Sequence, residues 1–189
     1  MGFFDEPLYT PEEKLTGSER AIFETSKGTI KVDLDGEGAP VHVANFKELA
    51  NSGFYDGLRF HRHVPGFVIQ GGCPNTRDMS EEDVKSGKPG PFGMPGTGGP
   101  GYRIVHEFHT NPRNSHDDGA LAMARSMNPD SAGSQFYFCL GPQHSLDSGY
   151  TVFGQTIEGK DVISQLRAGD EIISIRVVDD RSQLTDSLR

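Results

Sequence analysis

A chain of 189 residues with a formal net charge of -9 suits one domain plus short extra segments, and its acidic surface argues against a nucleic-acid partner. Its 24 glycines and 12 prolines favour strands and turns over long helices, and no apolar run approaches the length of a membrane span.

Residues 1–18 are polar, contain Pro7 and Pro11, and read as an extension ahead of the domain, without the apolar core of an export signal. The domain spans residues 19–179, and residues 180–189 read as a polar tail. "RAIFETSKGTIKVDLDG" alternates around a Lys27-Gly28 turn, which predicts a hairpin with Ile22, Ile30, Val32 and Leu34 facing inward. In "APVHVANFKELANSG", Val43, Phe46, Leu49 and Ala50 recur at helical spacing, and Gly53 suits the helix end. "LRFHRHV" and "GFVIQGG" read as two short strands broken at Pro65-Gly66. A long Gly- and Pro-rich loop follows, with one helical turn at "SEEDVKSG"; loops of that length are often functional. "GALAMAR", "SQFYFCL" and "YTVFGQTI" read as strands, "GKDVISQL" as a second short helix, and "DEIISIRVV" as a closing strand with Ile172, Ile175 and Val177 inward. Many short strands with two short helices predict a mainly β fold, a barrel or sandwich with capped ends.

Few residues are placed for chemistry. "HRH" at 61–63 has no carboxylate in the "VPGFVIQGG" that follows, and the spacing of "HEFH" at 106–109 is wrong for a zinc-protease helix, so structural histidines are favoured over a metal site. His144, Ser145 and Asp147 are triad residue types, but they lie too close in sequence to form a nucleophile–base–orienter line. "GTGGPG" lacks the lysine and the strand–loop–helix frame of a phosphate cradle. Cys73 and Cys139 do not make a disulfide framework and read as free thiols of a reducing cytoplasm, with a single disulfide as the alternative. That leaves Arg62, a cation set directly against an apolar run, where burial would be costly without a partner.

"FHRHVPGFVIQGG" resembles the signature of cyclophilins, the cyclosporin-binding class of peptidyl-prolyl cis/trans isomerases. "MARSMNPDSAGSQFYFCL" and "LDSGYTVFGQTIEGKDVI" are similar to two further family segments, and "GTGGPGY" to a pattern of bacterial-type members. The resemblance covers about Arg20 to Val178 in order. It implies an eight-stranded antiparallel cyclophilin-like β-barrel capped by two short helices, with the active groove on its outer face. It implies rotation about X–Pro bonds in peptides and folding proteins, with no metal, cofactor or covalent intermediate. By that resemblance Arg62 stabilises the twisted amide, Gln70 holds Arg62 and binds substrate backbone, and His61 supports the site. Phe67, Val68, Tyr137 and Leu146 match the proline pocket; Ala124 and Arg125 match the strand that pairs with the peptide, and Gln135 lines the groove beside them.

The chain departs from the family pattern in several places. Ser145 stands where cyclosporin-sensitive members carry tryptophan, which implies weak cyclosporin binding. Tyr150 replaces the pocket histidine, Tyr137 the pocket phenylalanine, and Arg125 an asparagine. An insertion at about Arg77–Pro95 is expected beside the groove, controlling access to it. Two other readings stay open at this level: a non-catalytic module that binds proline-containing segments, and a metal-binding barrel enzyme. Nothing in the sequence suggests more than a monomer.

Overall fold

The computed structural model describes residues 6–179; residues 1–5 and the tail expected at 180–189 lie outside the described residues. Eight strands form one antiparallel sheet: β1 (Glu19–Thr25), β2 (Gly28–Leu34), β3 (Arg62–Val64), β4 (Val68–Gly71), β5 (Ala120–Met123), β6 (Phe136–Cys139), β7 (Val152–Glu158) and β8 (Ile172–Asp179). Their order is β3-β4-β6-β5-β7-β2-β1-β8. The sheet curls into a half-barrel, and the segment ahead of β3 meets β8. There the Ile172 N–H donates to Leu58 O (2.7 Å), Gly57 N–H to Ile172 O (2.8 Å) and Phe60 N–H to Asp170 O (3.0 Å).

Two strands, β5 and β6, are apolar at every position, as expected where both faces are covered. On β6, Phe136 and Phe138 point into the barrel while Tyr137 and Cys139 point outward; on β5, Leu121 and Met123 point in while Ala120 and Ala122 point out. The interior is aromatic: Phe23 meets Phe136 edge-on at 5.6 Å and Phe138 at 5.1 Å, and Phe46 meets Phe136 at 5.9 Å. Each such pair adds about 0.5–1.5 kcal/mol beyond its buried area. The outer cluster of Val68, Ala120, Ala122, Tyr137, Cys139 and Val152 forms a second, smaller apolar surface.

The β1–β2 hairpin differs from expectation at one residue. Ile22 is only half-buried, and Ala21 and Phe23 take the interior instead. The run Ala21-Ile22-Phe23 is apolar in both phases, so alternation alone does not choose between them. Pairing does: Phe23 stands opposite Ile30 and Ile175, and Ala21 opposite Val32 and Val177. Ile30, Val32, Leu34, Ile172, Ile175 and Val177 are buried as expected.

Helix α1 (Pro40–Asn51) buries Val43, Phe46, Leu49 and Ala50, and Gly53 follows it at φ +82°. Its N-cap, Ala39, offers no side-chain acceptor. Glu107 caps the helix from 65 residues away, accepting from Val41 N–H (3.1 Å), His42 N–H (2.8 Å) and His42 Nδ1 (2.7 Å). Helix α3 (Lys160–Gln165) is the other expected helix. A third, α2 (Glu81–Lys85), forms in the insertion: Ser80 accepts the Asp83 N–H at 3.1 Å, acidic residues fill the first turn, and Val84 is buried. The extension is tied to the barrel surface. Tyr9 OH donates to Glu48 Oε2 at 2.8 Å, its N–H donates to Arg103 O at 2.8 Å, and Leu15 packs on the core.

Candidate active site

Two adjoining cavities open on the outer face of the sheet. The first, of about 360 Å³, has Val68, Tyr137, Ala124 and Leu146 around its apolar surface, with Phe67 and Tyr150 at its edges. Arg62, Gln70 and Arg125 complete its lining. The strand alternation that fills the barrel also builds this face. Ile69 and Phe138 turn in, so their neighbours Val68, Gln70 and Tyr137 turn out. The second cavity, of about 230 Å³, is lined by Gln70, Gln135, Arg125, Glu6 and the loop Gly96–Pro100. Gln70, Ala124 and Arg125 thus belong to both.

Arg62 answers the question raised by its apolar neighbours: it is exposed at the start of β3, over the pocket and not under it. Its Nη1 donates to Gln70 Oε1 at 3.4 Å, across the β3–β4 ladder where the two residues are register partners. Gln70 Nε2 donates to Gln135 Oε1 at 3.0 Å. Gln135 Nε2 donates to Gly96 O (2.9 Å) and Gly98 O (2.8 Å). The amide orientations of both glutamines are therefore fixed from one end of the chain of bonds to the other. The loop itself is anchored by Cys73, whose Sγ accepts the N–H groups of Gly96 (3.2 Å) and Gly98 (3.3 Å). Residues 77–95 line neither cavity, so the insertion meets the groove only through the loop that follows it.

Arg125 is immobilised. Its Nε donates to Gly149 O at 2.8 Å and Nη1 to Ser126 O at 2.9 Å, and the guanidinium lies 4.7 Å from the Tyr150 ring centroid and 5.7 Å from that of Phe108. His61 lines neither cavity. Its ring lies against Gly96, and its buried Nδ1 has no partner. Burial first, and the Arg62 charge second, lower its pKa to about 4, so it is neutral at physiological pH.

The nine side chains around the first cavity, and Gln135 in the second, are all among the residues expected from the sequence; His61 alone of that set lies outside both cavities. The sequence did not find His116, which lies beneath Tyr137, nor a role for Asp147, which binds it. Nothing in residue spacing links positions 116 and 137; they meet only through the β5–β6 pairing and the turn at His144–Leu146. Among the described residues no group of His, Cys, Asp or Glu is set to hold a metal ion. Cys73 and Cys139 are both free and buried.

The family model for "Cyclophilin type peptidyl-prolyl cis-trans isomerase/CLD" matches residues 20–183. The chain belongs to the cyclophilin-type peptidyl-prolyl cis-trans isomerases. A relative from Synechococcus elongatus, a peptidyl-prolyl cis-trans isomerase, is 44% identical over 85% of this chain and 97% of its own length. Peptidyl-prolyl cis-trans isomerase B of Bacillus subtilis is 43% identical over 78% of this chain and 90% of its own. Among solved structures, a Cryptosporidium parvum cyclophilin-type isomerase matches with a TM-score of 0.69 at 25% identity, covering 85% of this chain and 97% of that one. The same parasite protein solved in the presence of the dipeptide Ala-Pro matches with a TM-score of 0.68. The half-barrel is therefore that of a cyclophilin, and the chain is a peptidyl-prolyl cis-trans isomerase.

Proposed function

We propose that the protein accelerates X–Pro rotation in peptides and in folding proteins by holding the proline ring in the apolar cavity while Arg62 stabilises the twisted amide. The barrier to be lowered, about 18–20 kcal/mol, comes from amide resonance. Twisting the bond breaks that resonance, and the proline nitrogen becomes pyramidal with a localised lone pair. A fixed N–H donor aimed at this nitrogen favours the twisted form over both planar isomers, which is binding energy expressed only in the transition state.

The observation that carries this reading is Arg62 on the rim of a cavity whose other walls are Phe67, Val68, Leu146 and Tyr137, with Gln70 bonded to its guanidinium. Ala124 and Arg125, on the chain leaving β5, lie along the groove where a substrate main chain would run. The proline-containing peptide is thereby the ligand, and no cofactor enters the chemistry. Cyclosporin binds weakly, because exposed Ser145 supplies neither the apolar area nor the indole donor of a tryptophan. A tight cyclosporin complex by calorimetry would refute this.

The test is the isomerisation rate of an Ala-Pro-Phe peptide with wild type and Arg62→Ala. The variant should stay folded and lose about 10²–10³ in kcat/KM, the scale of a lost transition-state donor. An active Arg62→Ala protein would remove Arg62 from its role. A wild type that binds proline peptides without accelerating them would leave a binding module in place of an enzyme.

A further inference from the structure

Tyr137 presents a difficulty for a proline pocket. It lines the apolar cavity and is 4% exposed, so its hydroxyl is withdrawn from water and must find a partner in the protein. That partner is His116, whose Nε2 lies 2.8 Å from the Tyr137 oxygen, the two rings being stacked with an interplanar angle of 14°. His116 is fully buried. Its other ring nitrogen, Nδ1, lies 2.8 Å from Asp147 Oδ1, and the His116 N–H donates to the same oxygen at 2.7 Å.

The direction of each bond follows from donor and acceptor counting. Burial opposes the charge on Asp147, but hydrogen bonds from the His116 N–H, the His116 ring and the His144 ring outweigh it and hold the carboxyl below its ordinary range. Asp147 is therefore an anion that only accepts, and the proton of neutral His116 sits on Nδ1. Nε2 then carries a lone pair, and Tyr137 must donate to it. Burial also raises the Tyr137 pKa, so the hydroxyl keeps its proton.

We propose that His116 and Asp147 are positioning residues for the isomerase reaction: Asp147 fixes the tautomer of His116, and His116 takes the Tyr137 hydroxyl proton, so that the tyrosine turns its polar edge away from the cavity and shows the proline an apolar ring. The inference rests on the isomerase reading of the cavity. It assigns a function to the tyrosine that replaces the family's pocket phenylalanine: the hydroxyl is acceptable there only while it is tied back.

The tie has a condition. When His116 gains a proton, Nε2 becomes a donor, and the Tyr137 O–H can no longer point at it. The hydroxyl then turns elsewhere, and the open side is the cavity. Burial lowers the His116 pKa, against the raising effect of Asp147, so this state belongs to acid conditions below pH ~6.5. The groups facing His116 are His144 from the turn at His144–Leu146 and Asp147 that caps it, Asp117 from its own segment, and Tyr137 from β6, with Cys139, Tyr150 and Arg125 around Tyr137. His144 and Asp117 act from more exposed positions than His116 and Tyr137, which are buried.

The experiment measures kcat/KM on an Ala-Pro peptide between pH 5 and 8 for wild type, Tyr137→Phe, His116→Leu and His116→Gln, with peptide Kd by NMR titration alongside. Wild type should show an acid limb of about five- to tenfold, expressed as a rising KM, the scale of one unmade hydrogen bond. Tyr137→Phe should lack that limb. His116→Leu should show the weakened binding at every pH, and His116→Gln, which keeps both a neutral acceptor and a donor, should recover most of it. In the wild type at pH 7.5, ¹⁵N spectra should place the His116 proton on Nδ1. An acid limb that survives in Tyr137→Phe, or a neutral His116 protonated on Nε2, overturns the proposal. If wild type accelerates nothing at any pH, the isomerase reading fails separately, and the same series read as Kd still decides whether the relay shapes the pocket.

Discussion

His61 and Arg62 are adjacent, yet they answer to opposite environments. Arg62 reaches water; His61 is folded under the Gly96 loop with an unpartnered Nδ1. Its folded pKa of about 4 lies below the ordinary histidine value of about 6.5, so the unfolded chain binds more protons between those limits. The stability it contributes is complete above pH ~6.5 and is lost as pH falls toward 4. Removing the ring should therefore matter most in acid. His61→Leu is expected to lose about 2 kcal/mol less than wild type on going from pH 7 to pH 4.5, read from urea midpoints at the two pH values. Equal losses in the two proteins would show that the ring is not held neutral. The groove side chains were legible in the sequence because each stands within a short family segment at fixed spacing. The relay was not. Asp147 was visible only as a triad-type residue beside His144 and Ser145, whereas its working partner is His116, 31 residues upstream.

The loop Gly96–Pro100 shows how an element far from the reacting bond holds the site. Gly98 gives its carbonyl to Gln135 and its N–H to Cys73. A methyl group at Gly98 would come within 2.5 Å of Asn75 Oδ1, and Asn75 is not free to retreat, since its Nδ2 is bonded to Met94 O (2.9 Å) and Thr97 Oγ1 (3.0 Å). Gly98→Ala should cost about 1–2 kcal/mol of stability and lower kcat/KM several-fold, because Gln135 loses its anchor. Gly99 has no atom within 4 Å of such a methyl, so Gly99→Ala should leave the melting temperature almost unchanged. Similar melting losses in the two variants would show that Asn75 does move. The elements themselves were largely readable, with exceptions that have physical causes. The facing of β1 was ambiguous because both phases of Ala21-Ile22-Phe23 are apolar, and pairing with β2 and β8 selects one. The third helix, α2, is five residues long and owes its existence to the Ser80 cap and buried Val84, signals too local to separate a helix from one turn of loop.

At the scale of the molecule, Glu107 joins parts of the chain that no periodic pattern connects. It replaces the missing cap of α1 and pairs with His42, both side chains being buried. Glu107→Ala leaves two helix N–H groups and the His42 ring without an acceptor. It should cost about 3 kcal/mol or more, a fall in Tm of about 6–12 °C in a chain of this size. Glu107→Gln, which keeps one acceptor oxygen, should cost less. A Tm within 2 °C of wild type for Glu107→Ala would show that water or another group takes over the cap. The barrel is held together at a longer range still. β1 lies between β2 and β8, with Glu19 opposite Asp179 and Phe23 opposite Ile175. The second strand to be synthesised pairs with the first at once, but the other edge of β1 waits for the last. Until Ile172–Asp179 has left the ribosome, that edge has no partner in the finished fold, and the aromatic interior stays open along one side. Closure thus waits for Ile172–Asp179, and a message truncated anywhere before Ile172 should yield an unsealed, adhesive sheet rather than a smaller working protein.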